Sequence, residues 1–228
     1  MFPIGVISNQ YSAAAPPVLE TYTTANTGGS LLTSITVNKP SGAAVGDLLI
    51  AFMTGTNGTT DWATLAGWTM INEVIGVGDG RAAQYRIVDG TEGATFIFSA
   101  TSSGGRLCAS IVRISGADNI TPINAQTLTS DLVSPSSPEN CTAITTTVDG
   151  CLGIVGVCER MGLTTKPDVT FPTSGWTQVV DFSGGSYSAM AIGQNTDLDA
   201  AGSKACQIAW TGGAMSTISM FLIGINPA

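Results

Sequence analysis

The alternation of apolar and polar positions along the chain predicts many short β-strands and no helix. Segment 31–37, LLTSITV, alternates apolar with polar residues, as a strand with one buried face does. Segment 47–54, DLLIAFMT, is an almost unbroken apolar run, which is typical of a strand buried on both faces. No stretch of about 12 residues keeps the period of an amphipathic helix. Turn signals such as Asn57-Gly58 and Asp149-Gly150 separate the apolar segments.

Segments of the same two kinds continue to the end of the chain and predict an all-β fold. Many short strands at regular spacing, separated by turn residues, are typical of an antiparallel β-sandwich, here of a jelly-roll-like kind. The remaining predicted strands are 67–74, 81–89, 94–100, 106–115, 123–129, 141–147, 151–159, 175–182, 187–193, 204–210 and 216–225.

The two halves of the chain resemble each other. The phrase GWTMINEV at 67–74 returns as GWTQVVDF at 175–182. In both halves the order is a buried strand, a loop, Gly-Trp-Thr, a hairpin, a Gly-Gly turn and a long apolar strand. This order predicts two pseudo-repeats, about 31–129 and 141–228, with 130–140 as the connection between them.

We expect residues 18–228 to form a single β-sandwich domain in which the buried strands of both halves share one core. Each half supplies only roughly six predicted strands, a typical number for one sheet rather than for a complete sandwich. Two small tandem sandwiches, one for each half, are the alternative.

Charge and cysteine content narrow the classes of partner. The chain of 228 residues has 16 acidic and 8 basic residues, so its formal net charge is −8. Because the basic residues are scattered, we expect no binding to nucleic acid and none to an anionic membrane.

The five cysteines form no C-x-x-C pair, and we expect them to be buried, reduced thiols. The N-terminus lacks the basic region of a signal peptide, so we expect synthesis in a cytoplasm.

The chemistry that the residues allow is limited, because the chain has no histidine. This excludes Ser-His-Asp and Cys-His catalysis and imidazole metal sites. The paired carboxylates of a glycosidase are the remaining enzymatic possibility, with Glu73, Glu92, Glu159 and Asp181 near predicted strand ends. With 16 acidic residues some proximity arises by chance. We therefore expect a protein that is not an enzyme and needs no cofactor and no metal ion.

The first 17 residues have the composition of an extended arm. They combine three prolines and small residues with isolated apolar side chains, and fully extended they would reach on the order of 55 Å. A frayed terminus is the alternative to an arm that becomes ordered on a neighbouring subunit. The predicted partner-binding residues of the arm are Phe2, Ile4, Val6, Ile7 and Tyr11.

Three of the tryptophans are assigned by their sequence context. Trp62 lies in the polar segment NGTTDWATLAG, which favours an exposed contact with a partner. Trp68 and Trp176 stand at the strand starts of the repeated Gly-Trp-Thr phrase, which favours packing in the core.

Residues 37–125 resemble a module of structural proteins of tailed bacteriophages. In that module a strand leads through a proline and a Gly-Asp pair into an apolar strand, which Gly-Trp-Thr and an aromatic-rich hairpin follow. A corner with Gly-(Val/Ala)-Asp and then Pro-Ile-(Asn/Asp)-Ala completes it. The second half follows only through its similarity to the first. The matching residues are Pro40, Gly46-Asp47, Gly67-Trp68-Thr69, Tyr85, Gly116-Ala117-Asp118 and Pro122-Ile123-Asn124-Ala125.

The resemblance implies a non-enzymatic virion protein, made in the host cytoplasm and located on the capsid surface. A head-decoration (cement) protein would bind the major capsid protein and copies of itself, as a trimer by analogy with decoration proteins. The alternative is a tail or tail-fibre component that binds glycans of the host surface. The family offers no catalytic residues to carry over.

Overall fold

The computed structural model consists of antiparallel β-strands, and no helix is present among the residues that it describes. The predicted all-β, antiparallel fold is therefore confirmed. The structure describes residues 15–56, 61–76, 78–100, 105–131, 134–161, 166–183, 188–198 and 201–228.

Seventeen strands lie in this described part of the chain. The first half contains β1 (Val18–Asn26), β2 (Ser34–Asn38), β3 (Leu48–Thr56), β4 (Thr69–Gly76), β5 (Asp79–Ile87), β6 (Thr95–Ser99) and β7 (Arg106–Ser115). The second half contains β8 (Ile123–Asp131), β9 (Glu139–Asn140), β10 (Ile144–Thr146), β11 (Cys151–Met161), β12 (Asp168–Thr170), β13 (Thr177–Ser183), β14 (Ser188–Leu198), β15 (Gly202–Lys204), β16 (Gln207–Thr211) and β17 (Met215–Ile225).

Each half of the chain contributes one five-stranded sheet, and the two sheets have the same topology. The first sheet has the order β1-β7-β3-β5-β4, and the second has the order β8-β17-β11-β14-β13. Position by position, β8 takes the place of β1, β17 that of β7 and β11 that of β3. In both halves the first strand pairs with the last, and an apolar strand lies at the centre.

Irregularities in the strand pairing are repeated as well. A bulge at Ile71 interrupts the pairing of β4 with β5, and one at Val179 interrupts that of β13 with β14. On the other side of each sheet, bulges at Glu20 in β1 and at Asn124 in β8 stand opposite β7 and β17. A bulge bends its strand and fixes its register. The two halves therefore share local distortions in addition to strand order.

The large sheets pack face to face, and smaller sheets cover their outer faces. The central core between the large sheets takes side chains from both halves. The pair β2-β6 encloses a first outer core with the first large sheet, and β12-β16-β9 and β10-β15 enclose a second outer core with the second. Each half is thus a small sandwich with its own core, and the two halves also share a core.

The apolar run 47–54 becomes a strand buried on both faces, as its sequence predicts. Leu48, Ile50 and Phe52 of β3 point into the central core, whereas Leu49 and Met53 point into the first outer core. The alternating direction of side chains along a strand requires both faces to be covered. In the second half β11 has the same role and is buried almost throughout.

The large sheets approach each other closely at Phe52 and Gly156. The ring of Phe52 lies on the backbone of Gly156 in β11, so that a Cβ atom at Gly156 would lie 2.3 Å from ring carbons. Phe221 of β17 packs beside the ring, with the ring centroids 6.2 Å apart. Only glycine leaves room for the ring at this contact.

Two expectations from the sequence are corrected by the strand pairing. The halves are joined by 116–122 and not by 130–140, because β8 pairs with β17 and so belongs to the second sheet. The first half also begins earlier than residue 31, because β1 pairs along β7. The nested pairing of β1 with β7, β2 with β6 and β3 with β5 is observed. The jelly-roll description itself stays a prediction.

Replacing Gly156 with alanine is expected to destabilise the protein by about 1–3 kcal/mol, because the new methyl group must displace the ring of Phe52. Urea unfolding of the two proteins measures the difference. Gly29→Ala is the matched control, since Gly29 has no atom within 4 Å of an added Cβ. Equal stability of the two variants would contradict the assigned contact.

Candidate functional site

The chain enters the fold, crosses between its halves and finishes at one end of the stacked sheets, which we call the arm-proximal end. Backbone hydrogen bonds tie its segments together, for example from Gly46 N to Val88 O (2.9 Å) and from Ala228 N to Gly116 O (3.0 Å). Residue Pro16 lies beside Gly116, so residues 1–14 join the described chain here. The arm-proximal end comprises 15–18, 39–47, 88–94, 116–122, 147–150 and 226–228.

Residues of the motifs that carry the resemblance meet at this end. The carboxylate of Asp47 accepts hydrogen bonds from Ala44 N at 2.8 Å and from Nε of Arg113 at 2.6 Å. The carboxylate of Asp118 accepts hydrogen bonds from the backbone N–H groups of Ile120 (2.7 Å) and Thr121 (3.0 Å). The hydrogen bond from Thr121 N, followed by that from Ile120 N, lowers the pKa of Asp118. These contacts hold the loops in fixed turns.

The fixed turns expose apolar side chains to solvent at the arm-proximal end. Ile120 is 90% exposed and Val45 is 73% exposed. Their loops are in contact, because the side chain of Asn119 lies 3.3 Å from the Cβ position of Gly46. Val18 and Val148 are exposed at the same end. Exposed apolar side chains on adjoining loops therefore give this end of the molecule an apolar surface.

At the opposite end of the central core, a cluster of buried polar groups links the two halves. Arg81 in β5 is fully buried and forms an ion pair with Asp79, Nη2 to Oδ2, at 2.9 Å. Its guanidinium also donates to the hydroxyls of Thr217 and Ser219 in β17. The Thr217 hydroxyl in turn donates to Asp79 at 2.5 Å. Burial lowers the pKa of Arg81, and Asp79 opposes that effect.

Glu159 is the second buried ionisable group of note. It follows Val155 and Val157 on the face of β11 that borders the second outer core. Neither carboxyl oxygen has a hydrogen-bond partner among the described residues. Burial raises the pKa of Glu159 to about 8, and the positive charge of Lys166 partly opposes this rise. Lys166 itself forms an ion pair with Asp181. Glu159 is therefore mostly neutral at pH 7.

The other carboxylates that the sequence offered for a glycosidase have structural contacts. Glu73 accepts a hydrogen bond from the backbone N–H of Trp62 at 2.7 Å. Glu92 forms an ion pair with Arg86 at 2.6 Å and accepts a hydrogen bond from Asp89 N at 2.8 Å. In the described part of the chain, no ligand-sized cavity and no metal-binding group of acidic or cysteine residues is present.

The expectation that Trp62 is an exposed contact is wrong. Its side chain is only 1% exposed, and its indole N–H donates to Gly80 O at 3.2 Å. Trp62 bridges to Ala100 and so extends the small sheet over the first outer core. The polar residues around it do not show this, because the burial depends on a distant segment of the chain.

Trp68 and Trp176 lie in the first and second outer core, respectively, each 6% exposed. Trp68 packs edge-on against Phe96 and Phe98, with ring centroids 5.1 and 5.2 Å apart. Trp176 donates its indole N–H to Ala205 O at 3.1 Å.

The five predicted contact residues of the arm lie outside the described residues: Phe2, Ile4, Val6, Ile7 and Tyr11.

The exposed residues Ile120 and Val45 were not singled out from the sequence. The signal available there is a single large apolar residue within a turn-rich segment, DNITP for Ile120 and AAVGD for Val45.

No helix suited to spanning a membrane occurs among the described residues. Comparison of the chain with protein-family models, with curated proteins and with solved structures gave no match.

Replacing Arg81 with methionine is expected to destabilise the protein by about 3–5 kcal/mol, because Asp79 would remain buried without its ion pair. Chemical unfolding measures the loss. The double variant Arg81→Met/Asp79→Leu serves as the control and is expected to recover most of it, since no unpaired charge remains. A double variant as unstable as the single one would contradict this assignment.

The stability of the protein is expected to fall as the pH rises from about 5 to about 8. Folded Glu159 keeps its proton up to a pKa of about 8, whereas the unfolded carboxyl loses it near 4.5. Between these values the folded state binds more protons, so rising pH favours unfolding, by roughly 5 kcal/mol in full. Unfolding curves across this range should show a weaker dependence on pH for Glu159→Gln. Glu20→Gln, at an exposed site, should keep the wild-type dependence.

Proposed function

We propose that this chain is a non-enzymatic structural protein of a phage virion, a head-decoration protein that binds and stabilises the assembled capsid shell. The observation that carries the proposal is the coincidence of three features at the arm-proximal end. Residues 1–14 join the fold there, and Ile120 and Val45 are exposed there. Some of the motifs that resemble phage structural proteins also meet there, among them Gly46-Asp47 and Gly116-Ala117-Asp118.

The physical character of the protein supports a role in lattice binding. The low charged fraction of 11% means that little charge must be desolvated when this surface contacts a neighbour. Three stacked cores make a body that can bear load between subunits. Many identical weak contacts across a shell give high avidity, and binding across a subunit junction stabilises the assembled state.

In this proposal the partners are the major capsid protein and further copies of the chain, arranged as a trimer. The arm, with Phe2, Ile4, Val6, Ile7 and Tyr11, and the loops of Val45 and Ile120 form one contact surface with the capsid protein. The opposite end of the sandwich faces away from the shell. The alternative, a tail or fibre component that binds glycans, loses the support of Trp62, since that side chain is buried.

Deleting residues 1–14 is expected to leave the fold intact and to abolish binding to purified heads that lack the protein. Ile120→Asp is expected to weaken the same binding at least tenfold, because a charge replaces an apolar contact. The matched control is Ile97→Asp, which changes an exposed isoleucine on β6, away from the contact surface. Co-sedimentation with heads measures binding, and melting curves verify folding.

Each outcome of this experiment bears on the proposal. If the truncated protein still saturates heads, or if the Ile97 and Ile120 variants bind equally, the proposed contact surface is wrong. Electron microscopy of antibody-labelled source particles provides the independent location. A label on the tail would contradict the head-decoration proposal and favour the alternative of a glycan-binding tail component.

A further inference from the structure

Two of the five cysteines face each other across neighbouring strands of the second outer layer. In the ladder of β9 and β16, Asn140 is opposite Gln207 and Glu139 is opposite Ile208. The next step along this ladder places Cys141 opposite Cys206, and the backbone N–H of Cys141 donates to the carbonyl of Cys206 at 2.8 Å.

The geometry of this pair matches that of a disulfide. Residues directly opposite in an antiparallel ladder have their side chains on one face and their Cα atoms roughly 4.5–5.5 Å apart. Disulfides join Cα atoms at roughly 4.4–6.8 Å. Both side chains belong to the second outer core. The Cys141 thiol lies 3.5 Å from Sδ of Met220, and the Cys206 thiol lies 3.7 Å from the carbonyl oxygen of Gln207. A side-chain hydrogen bond to Cys141, together with burial, raises the pKa of the Cys206 thiol.

The other cysteines are not paired in this way. Cys108 in β7 and Cys158 in β11 belong to different halves and face the central core, where the Cys158 thiol donates to Met53 O at 3.8 Å. The thiol of Cys151 contacts Val148 O at 3.5 Å. All five thiols are reduced in the structure. Among them, Cys141 and Cys206 are the pair that lies opposite on neighbouring, hydrogen-bonded segments of one sheet.

We propose that Cys141 and Cys206 are a site of oxidative modification at which a small disulfide, such as oxidised glutathione, introduces a cross-strand disulfide bond. The inference does not depend on the proposed function. It concerns the covalent state of the chain once it leaves a reducing compartment, where thiols persist, for an oxidising one.

The reaction proceeds by two thiol–disulfide exchanges. The thiolate of Cys141 attacks one sulfur of oxidised glutathione, which forms a mixed disulfide and releases one glutathione thiolate. The thiolate of Cys206 then attacks the Cys141 sulfur and releases the second glutathione thiolate. The two cysteine thiols are oxidised, one oxidised glutathione is reduced to two glutathione molecules, and the two cysteine protons pass to the glutathione thiolates.

Access to the pair is through the edge of its sheet. Both thiols are buried in the folded protein, which makes them slow to react. Strand β9 is only two residues long and is the edge strand in the order β12-β16-β9. Such a short edge opens locally at a low free-energy cost, and Cys141 follows it directly. Oxidation is therefore slow in the folded protein and faster during folding.

The bond would close the chain between residues 141 and 206 and so restrict the unfolded state. A cross-link of this span is expected to raise the melting temperature by on the order of 5–10 °C. The disulfide would join the segments of β9 and β16 close to Trp176, whose indole N–H donates to the carbonyl of Ala205, the residue before Cys206. Two neighbouring segments of the small sheet over the second outer core would thus be linked covalently.

The full-length reduced protein is incubated with oxidised glutathione, once folded and once during refolding from urea. Peptide mapping by mass spectrometry under non-reducing conditions is expected to recover a peptide pair linked through Cys141 and Cys206. The melting temperature is expected to rise and to return to its original value on reduction. Cys141→Ala and Cys206→Ala should each lack both effects, and Cys108→Ala, which alters a buried thiol elsewhere, should keep them.

Three results would overturn the proposal. The first is that both cysteines remain thiols or stop at the glutathione adduct in both incubations. The second is that they are joined to other cysteines in preference to each other. The third is a 141–206 link that lowers the melting temperature, since that would mean that the folded geometry does not fit the bond. Because mapping uses the wild-type chain, the test stands even if an alanine variant fails to fold.

Discussion

The packing of two five-stranded sheets against each other is the interaction on which the rest of the molecule depends. Each large sheet is apolar on both faces, and the small sheet of its own half covers only the outer face. Separating the halves would expose both inner faces to water, which is unfavourable because burial of apolar surface stabilises the folded state. The closest approach described within this interface is that of the Phe52 ring to the backbone of Gly156.

The same interface contains a buried polar cluster that joins the two halves. The ion pair of Arg81 and Asp79 is buried, and desolvation offsets much of the attraction within such a pair. Its hydrogen bonds to Thr217 and Ser219 can form in one relative placement of the halves only. Met190 occupies the position of Arg81 in the second half, since each residue pairs with the matching position of its central strand. The halves are alike in topology but not interchangeable in the interface.

The sequence predicted best those elements whose burial is visible in a short window. The continuous apolar runs of β3 and β11 indicate strands covered on both faces, and the structure has them so. Strand β1 was missed because it is an edge strand with few apolar residues, and its pairing with β7 joins segments far apart in the chain. The duplicated order predicted the similarity of the halves, but the missed β1 shifted their boundaries.

The surface proposed for partner contact was less predictable, because exposure is a property of the whole fold. A polar neighbourhood suggested that Trp62 is exposed, although the small sheet of the first half covers it. Conversely, an isoleucine within a turn-rich segment is only a weak signal of exposure, and the hydrogen bonds of Asp118 that fix the loop of Ile120 are seen in the structure alone. Similarly, the spacing of Cys141 and Cys206 along the chain carries no information, because only the ladder of β9 and β16 brings them together.

The direction of β1 determines how the molecule responds to tension. The strand begins at the arm-proximal end and runs away from it, paired with β7 along its length. A force on the preceding residues that acts along the strand axis loads the hydrogen bonds of this pairing in shear, so that they must break together. A force across the axis would break these hydrogen bonds one after another, so that a much smaller force separates the strands. A tether at this terminus therefore resists an axial pull much better than a sideways one.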